Sequence, residues 1–163
     1  AVVPIKGSKS KSGIIVKGIH DLAVRFSKCC SPVPGDEIVG FVTRGRGITI
    51  HRTDCINVLN LPEIERSRLI DAEWQGIEED NSAATYSTEI SIFANNRIGM
   101  FVDISKIFTE REIDIKTMNS RVNKQGKATI TMSFDIHGIE ELNNLMAKLR
   151  QIDGVLDIER TTG

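Results

Sequence analysis

Two rhythms of apolar and polar residues divide the chain. Between Gly13 and Trp74 the apolar runs are short and rich in β-branched residues: IIVKGI, LAVRFS, IVGFVTRG, ITIHRT and RLIDAEW. Runs of that length and composition predict strands. The first two read as strands around a tight turn at His20 and Asp21. The next two read as a hairpin through Gly45-Arg46-Gly47, where glycine tolerates a positive φ. Between these pairs, CCSPVPGDE carries two prolines and a glycine, which predicts a loop. Asp54 stands where it can cap a short helix over CINVLNL, stopped by Pro62.

From Tyr86 the rhythm is more regular. YSTEISIFA alternates as a strand, and from Met100 to Glu110 the residues Ile104, Ile107 and Phe108 share a helical face with Phe101 near by. IDIKTMNSRV and KATITMSFDI alternate again, joined by the hairpin loop Asn123-Lys124-Gln125-Gly126. Gly138 opens a helix with Leu142, Leu145, Met146 and Leu149 on one face; Gly154 ends it, and VLDIER is a last strand. The order βαββαβ predicts a ferredoxin-like split arrangement, with two helices on one face of an antiparallel sheet. The other face or an edge strand is then open to pairing, so a homodimer or an inter-domain contact is expected. The expected fold class is α+β: a small mixed-β module, then a ferredoxin-like domain. Residues 1–12 read as a tether, 13–76 as the first module, 77–84 as a polar linker and 85–163 as the second domain.

Composition refines this picture in two respects. Hydrophobic content of 40% and charged content of 26% are those of a soluble globular protein, and no apolar run approaches the roughly 20 residues that span a bilayer. The start lacks both a signal peptide and a Met, so the chain reads as a piece of something longer, and its three cysteines suit a reducing, cytoplasmic setting. The net charge of -1 hides an asymmetry: through Pro62 there are nine Lys/Arg against four Asp/Glu, and afterwards twelve against eighteen. The basic half is the candidate for nucleic acid contact.

All three cysteines lie in that half, in SKCCSPVPGDEIVGFVTRGRGITIHRTDC. Structural metal takes four Cys/His donors, and Cys29, Cys30, His51 and Cys55 supply that number. Vicinal cysteines share a peptide bond, so one of them can be a weak ligand, with Asp54 or a water completing the shell. Small buried thiols are the plain alternative. A Cys–His nucleophile lacks an oxyanion hole or an orienting third group here, and no CxxC redox pair is present. Around the cysteines cluster Lys28, Arg44, Arg46 and Arg52, on a turn kept thin by Gly45 and Gly47. Such a turn can rest on phosphates, recognising the backbone and shape of structured RNA, or it is a solvated hairpin tip.

At these residues the chain resembles a known family. VKGIHDLAVRFSKCCSPVPGDEIVGFVTRGRGITIHRTDC is similar to the zinc-finger, or ribosome-intersubunit, module of the long RelA/SpoT homologues. Those are the bifunctional (p)ppGpp synthetase/hydrolases of the bacterial stringent response. IFANNRIGMFVDISKIF and the ββαβ remainder resemble the ACT domain of the same proteins. The resemblance implies a non-catalytic regulatory region and Zn2+ on Cys29, Cys30, His51 and Cys55. It also implies contact with ribosomal RNA and deacylated tRNA, with Asp54 at a position important for ribosome engagement, and a signal relayed to the catalytic domains of the parent chain. ACT domains elsewhere bind amino acids with the loop after the first strand, here Asn95, Asn96, Arg97, Ile98, Gly99 and Met100. A branched-chain amino acid is therefore the alternative ligand, although Asn96 stands where the family often has Asp.

Overall fold

The computed structural model describes residues 14–16, 23–45, 47–74 and 84–162. The tether, the turn at His20 and Asp21, Arg46 and the linker apart from Ala84 lie outside the described residues. The described residues form two compact units, one up to Trp74 and one over residues 84–161. No helix among them is long and apolar enough to cross a membrane.

The first unit is a five-stranded mixed sheet in the order β1-β5-β3-β4-β2, made of β1 (Ile14–Val16), β2 (Val24–Phe26), β3 (Ile38–Val42), β4 (Ile48–Arg52) and β5 (Leu69–Trp74). The expectation that the first two strands turn back on one another is not met. β1 pairs antiparallel with β5, whereas β2 pairs parallel with β4, so they occupy opposite edges. β3 and β4 form the expected hairpin, with Phe41 opposite Thr49 and Val42 opposite Ile48. One face of the sheet packs a small core of Ile14, Val16, Ile48, Ile50 and Ala72, flanked by Phe26, Ile70 and Trp74. Trp74 stacks on Phe26 at 5.6 Å, and its indole N–H donates to the Asp36 carbonyl.

After β4 come two single helical turns, α1 (Ile56–Leu59) and α2 (Glu63–Arg66). The residue before α1 is Cys55, and no side chain caps it. Asp54 therefore does not cap this helix as its position suggests; its carboxylate pairs with Arg52 instead. Pro62 stops α1 as expected but also begins α2, because its fixed φ suits a helix start.

The second unit is ferredoxin-like. β6 (Tyr86–Asn95), β7 (Ile115–Val122), β8 (Lys127–Ile136) and β9 (Val155–Arg160) form an antiparallel sheet in the order β7-β8-β6-β9. α3 (Met100–Glu110) and α4 (Ile139–Arg150) complete the βαββαβ order. Strict alternation buries Ile90, Ile92 and Ala94 of β6 and Ala128, Ile130, Met132, Phe134 and Ile136 of β8. Leu142, Leu145, Met146 and Leu149 of α4 are buried as their spacing predicts. On α3 the buried set is Met100, Ile104 and Phe108, one turn apart each, while Phe101 is 40% exposed. The i, i+4 stack selects Met100 over its neighbour.

The turn between β3 and β4 supplies a stability prediction. Gly45 and Gly47 both have left-handed φ, 77° and 81°. A Cβ at Gly45 would meet nothing within 4 Å, whereas one at Gly47 would run into the Ala23 carbonyl. Gly45→Ala should therefore cost only the ~1 kcal/mol of the left-handed backbone, and Gly47→Ala clearly more. Denaturant melts followed by Trp74 fluorescence check this; equal effects would contradict it.

Candidate metal centre

The second packing cluster of the first unit is made of sulfur. Cys30, Cys55 and Val58 are buried together, with Cys29, Val39 and Leu69 against them. Local backbone explains how adjacent cysteines reach one point. The chain turns at Lys28–Cys30, the Ser31 N–H closes the turn on the Ser27 carbonyl at 3.1 Å, and Ser31 takes a left-handed φ of 46°. His51 arrives from β4, opposite Val39. Cys55 follows a tight turn in which its N–H donates to the Arg52 carbonyl at 3.1 Å.

Cys29 Sγ lies 3.4 Å from Cys55 Sγ and 3.5 Å from His51 Nδ1, and Cys30 Sγ lies 3.9 Å from the same nitrogen. All four donor atoms fall within 4.8 Å of one another. A tetrahedral ion with sulfur at ~2.3 Å and nitrogen at ~2.05 Å separates its ligands by about 3.8 Å (S···S) and about 3.6 Å (S···N). The cluster fits such an ion, and the donor set suits a soft or borderline cation. Asp54 is not part of the cluster.

The surroundings of each donor suit that role. Burial holds the His51 imidazole below its usual pKa, so it is neutral and able to ligate. Burial pushes the Cys30 thiol up to about 12, against the Arg52 N–H that donates to its sulfur at 3.3 Å. Cys55 is likewise raised by burial, opposed by the backbone N–H groups of Asn57 and Val58. Cys29 is the exception: burial raises it, but hydrogen bonds from Ser27, Asn57, Cys55 and Cys30 outweigh that and lower it. The Ser27 hydroxyl is 2.6 Å from its sulfur. Without a cation two of the thiols stay protonated; a divalent cation among them removes such protons outright.

Residues 14–75 match the family model of the RelA/SpoT RIS domain, and residues 82–160 that of the ACT domain. Across 161 residues the chain is 36% identical to the GTP pyrophosphokinase of Escherichia coli (strain K12), covering 98% of this chain and 21% of that protein. The chain joins a RelA/SpoT RIS domain to an ACT domain. It is homologous to the C-terminal part of GTP pyrophosphokinase and carries its regulatory RIS and ACT domains; the catalytic domains are not covered. The Streptomyces coelicolor GTP pyrophosphokinase is 31% identical over 92% of this chain and 17% of its own length. The chain thus spans about a fifth of the curated relatives it matches. Among solved structures it is similar to the ACT domain from GTP pyrophosphokinase of Chlorobium tepidum, at 26% identity over 47% of this chain and 99% of that one, with a TM-score of 0.43.

In the RIS domain, Lys28 and Arg44 are exposed, and Arg46 lies outside the described residues. Arg52 is 7% exposed and does not belong to the cationic surface expected of it. Its guanidinium pairs with Asp54 at 2.5 Å. Exposed Arg25 on the edge strand β2 is a cation that the sequence reading passed over, although alternation with Val24 and Phe26 already turns it outward. Ser27 and Asn57, the donors to Cys29, were also passed over; a Ser two residues before a Cys is the signal that could have found the first.

In the ACT domain the candidate ligand loop is occupied by its own contacts. Arg97 donates to the Asp153 carbonyl at 2.8 Å, to the Ile98 carbonyl at 3.1 Å and to the Asp103 carboxylate at 2.7 Å. The Asn95 side chain takes a hydrogen bond from Lys127, Asn96 is exposed, and Met100 is buried at 1%. Gly99 holds a left-handed φ of 84° immediately before α3.

The thiol environments order their reactivity. In chelator-treated protein at pH 8, iodoacetamide should modify Cys29 well before Cys30, since the thiolate is the nucleophile. Peptide mapping by mass spectrometry gives the order, and Cys30 reacting first would contradict the assignment.

Proposed function

We propose that this chain is the ribosome-sensing regulatory region of a stringent-response (p)ppGpp synthetase/hydrolase, with no catalytic step of its own. In this reading Zn2+ is held by Cys29, Cys30, His51 and Cys55. Zinc suits three thiolates and one neutral imidazole in a closed tetrahedral site, and there it supplies folding energy, not chemistry. The centre fixes the turn at Lys28–Cys30 and the end of β4. The exposed cations Arg25, Lys28 and Arg44 are thereby presented along the β2 edge and the neighbouring hairpin to ribosomal RNA or deacylated tRNA phosphates. The ACT domain relays the contact to the catalytic domains of the parent chain, in the cytoplasm where ribosomes are found.

The observation that carries this reading is the joining of a closed four-donor cluster to an exposed basic edge in one small sheet. Charge on that edge is the property to test, because phosphate binding releases counterions. Lys28→Glu with Arg44→Glu should lower co-sedimentation with ribosomes carrying deacylated tRNA at least tenfold. The double variant should also reduce the slope of log affinity against log salt by about 2, one for each cation. Binding that survives both changes would contradict the RNA-contact role.

For the ACT domain the reading is docking and relay, not amino-acid sensing. Arg97 already has three acceptors, so a ligand carboxylate would have to displace Asp103. Edge strand β7, with Met118 38% and Val122 51% exposed, is one surface open to a second copy or a parent domain. Titration calorimetry with valine or isoleucine should give no saturable heat; micromolar binding abolished by Arg97→Ala would favour the sensor.

A further inference from the structure

Arg52 sits between two donors of the cluster in sequence, one residue after His51 and three before Cys55. Its contacts reach the third and fourth elements of the site. The Arg52 backbone N–H donates to Cys30 Sγ at 3.3 Å, and the guanidinium donates to the Cys30 carbonyl at 3.4 Å. The Arg52 carbonyl accepts the Cys55 N–H at 3.1 Å, and the other arm of the guanidinium pairs with Asp54 at 2.5 Å. The Arg52 backbone thus holds the Cys30 sulfur and the Cys55 N–H, while its side chain ties the Cys30 carbonyl to Asp54 in the turn that delivers Cys55. Asp54, 58% exposed at its side chain, closes the fork from the solvent side.

Charge gives this arrangement a purpose. Three thiolates and a divalent cation leave the centre with one net negative charge. A buried guanidinium beside it offsets that charge, and Asp54 pairs with the guanidinium in turn. A planar fork that engages a carbonyl and a carboxylate at once is a task for arginine and not for lysine. An arginine aimed at phosphates would instead hold its guanidinium in water.

We infer that Arg52 and Asp54 are positioning residues of the metal centre: they set the geometry of Cys30 and Cys55 toward the bound ion and take no direct part in RNA contact. The inference rests on the metal reading of the cluster. Residues that orient metal ligands change affinity by about 10–100-fold when removed.

The test uses the whole chain, loaded with Zn2+ for affinity by competition with a chromophoric chelator and with Co2+ for its absorption spectrum. Arg52→Met should lower zinc affinity about 10–100-fold and shift the cobalt ligand-field and sulfur-to-cobalt bands of the bound form. Asp54→Asn should move both readouts in the same direction by less, and Arg52→Lys should recover only part of the loss. Arg68→Met is the control. Arg68 lies over Phe41 at 4.7 Å and pairs with Glu65 at 2.9 Å, so its loss should weaken the fold while leaving the bound cobalt spectrum unchanged. Should Arg52→Met not fold, Asp54→Asn and Arg52→Lys still decide the matter by spectrum and affinity. Wild-type affinity and spectra in those variants would overturn the inference while leaving the metal reading intact. A wild-type chain that binds neither ion would overturn both.

Discussion

The first unit depends on bringing three sulfurs and one imidazole nitrogen within 4.8 Å of each other. Three cysteines carry little apolar surface, and the other core of this unit rests on five buried residues and their flanking neighbours. A unit of this size is marginal on hydrophobic burial alone, and metal is a common supplement. As free thiols the cluster is held together by burial and by weak hydrogen bonds among the sulfurs and from the Ser27 hydroxyl and the Arg52 N–H, with Cys30 pushed up to about 12. Around a cation the same atoms would become thiolates in a closed shell, and the energy of that shell would become folding energy. Everything that gives the RIS domain its shape on this side passes through the centre: the turn after β2, the end of β4 and the start of α1.

The ACT domain reaches order by another route. Its sheet alternates cleanly, its helices present complete apolar faces, and Phe108 meets Phe134 edge-on at 5.0 Å in a continuous core. No donor cluster is required, and the loop that binds ligands in other ACT domains is tied down by Arg97 to both Asp153 and Asp103. The two regulatory domains therefore differ in their physics: one gathers around a four-donor Cys/His cluster, the other around a continuous apolar core.

Legibility in the sequence followed the range of the interactions. Period-2 and helical patterns depend on neighbouring residues, so β6, β8 and α4 could be read almost residue by residue. The pairing of β2 with β4 is parallel and non-local, and nothing near Val24 announces it. The cluster residues were legible as chemistry, because Cys and His in that number have few other uses together. Their support was not. Arg52 was grouped with the exposed cations by its charge, although alternation from Ile48 and Ile50 already placed it on the buried face of β4. Asp54 fitted a helix cap by position, but the nearer guanidinium claimed its carboxylate. Phe101 was set near the buried face of α3 and Met100 was not, where the one-turn spacing to Ile104 and Phe108 decides for Met100.

The most direct test of the account exploits the single tryptophan of the chain, Trp74, which lies in the RIS domain against Phe26. Metal content by mass spectrometry is measured on the purified chain, and Trp74 emission is followed as a zinc chelator is added. The account predicts about one zinc per chain and a red shift of Trp74 as the metal leaves, with the ACT domain's circular dichroism retained. A folded chain that contains no metal and keeps its Trp74 emission in chelator would contradict it, and the three cysteines would then be packing residues.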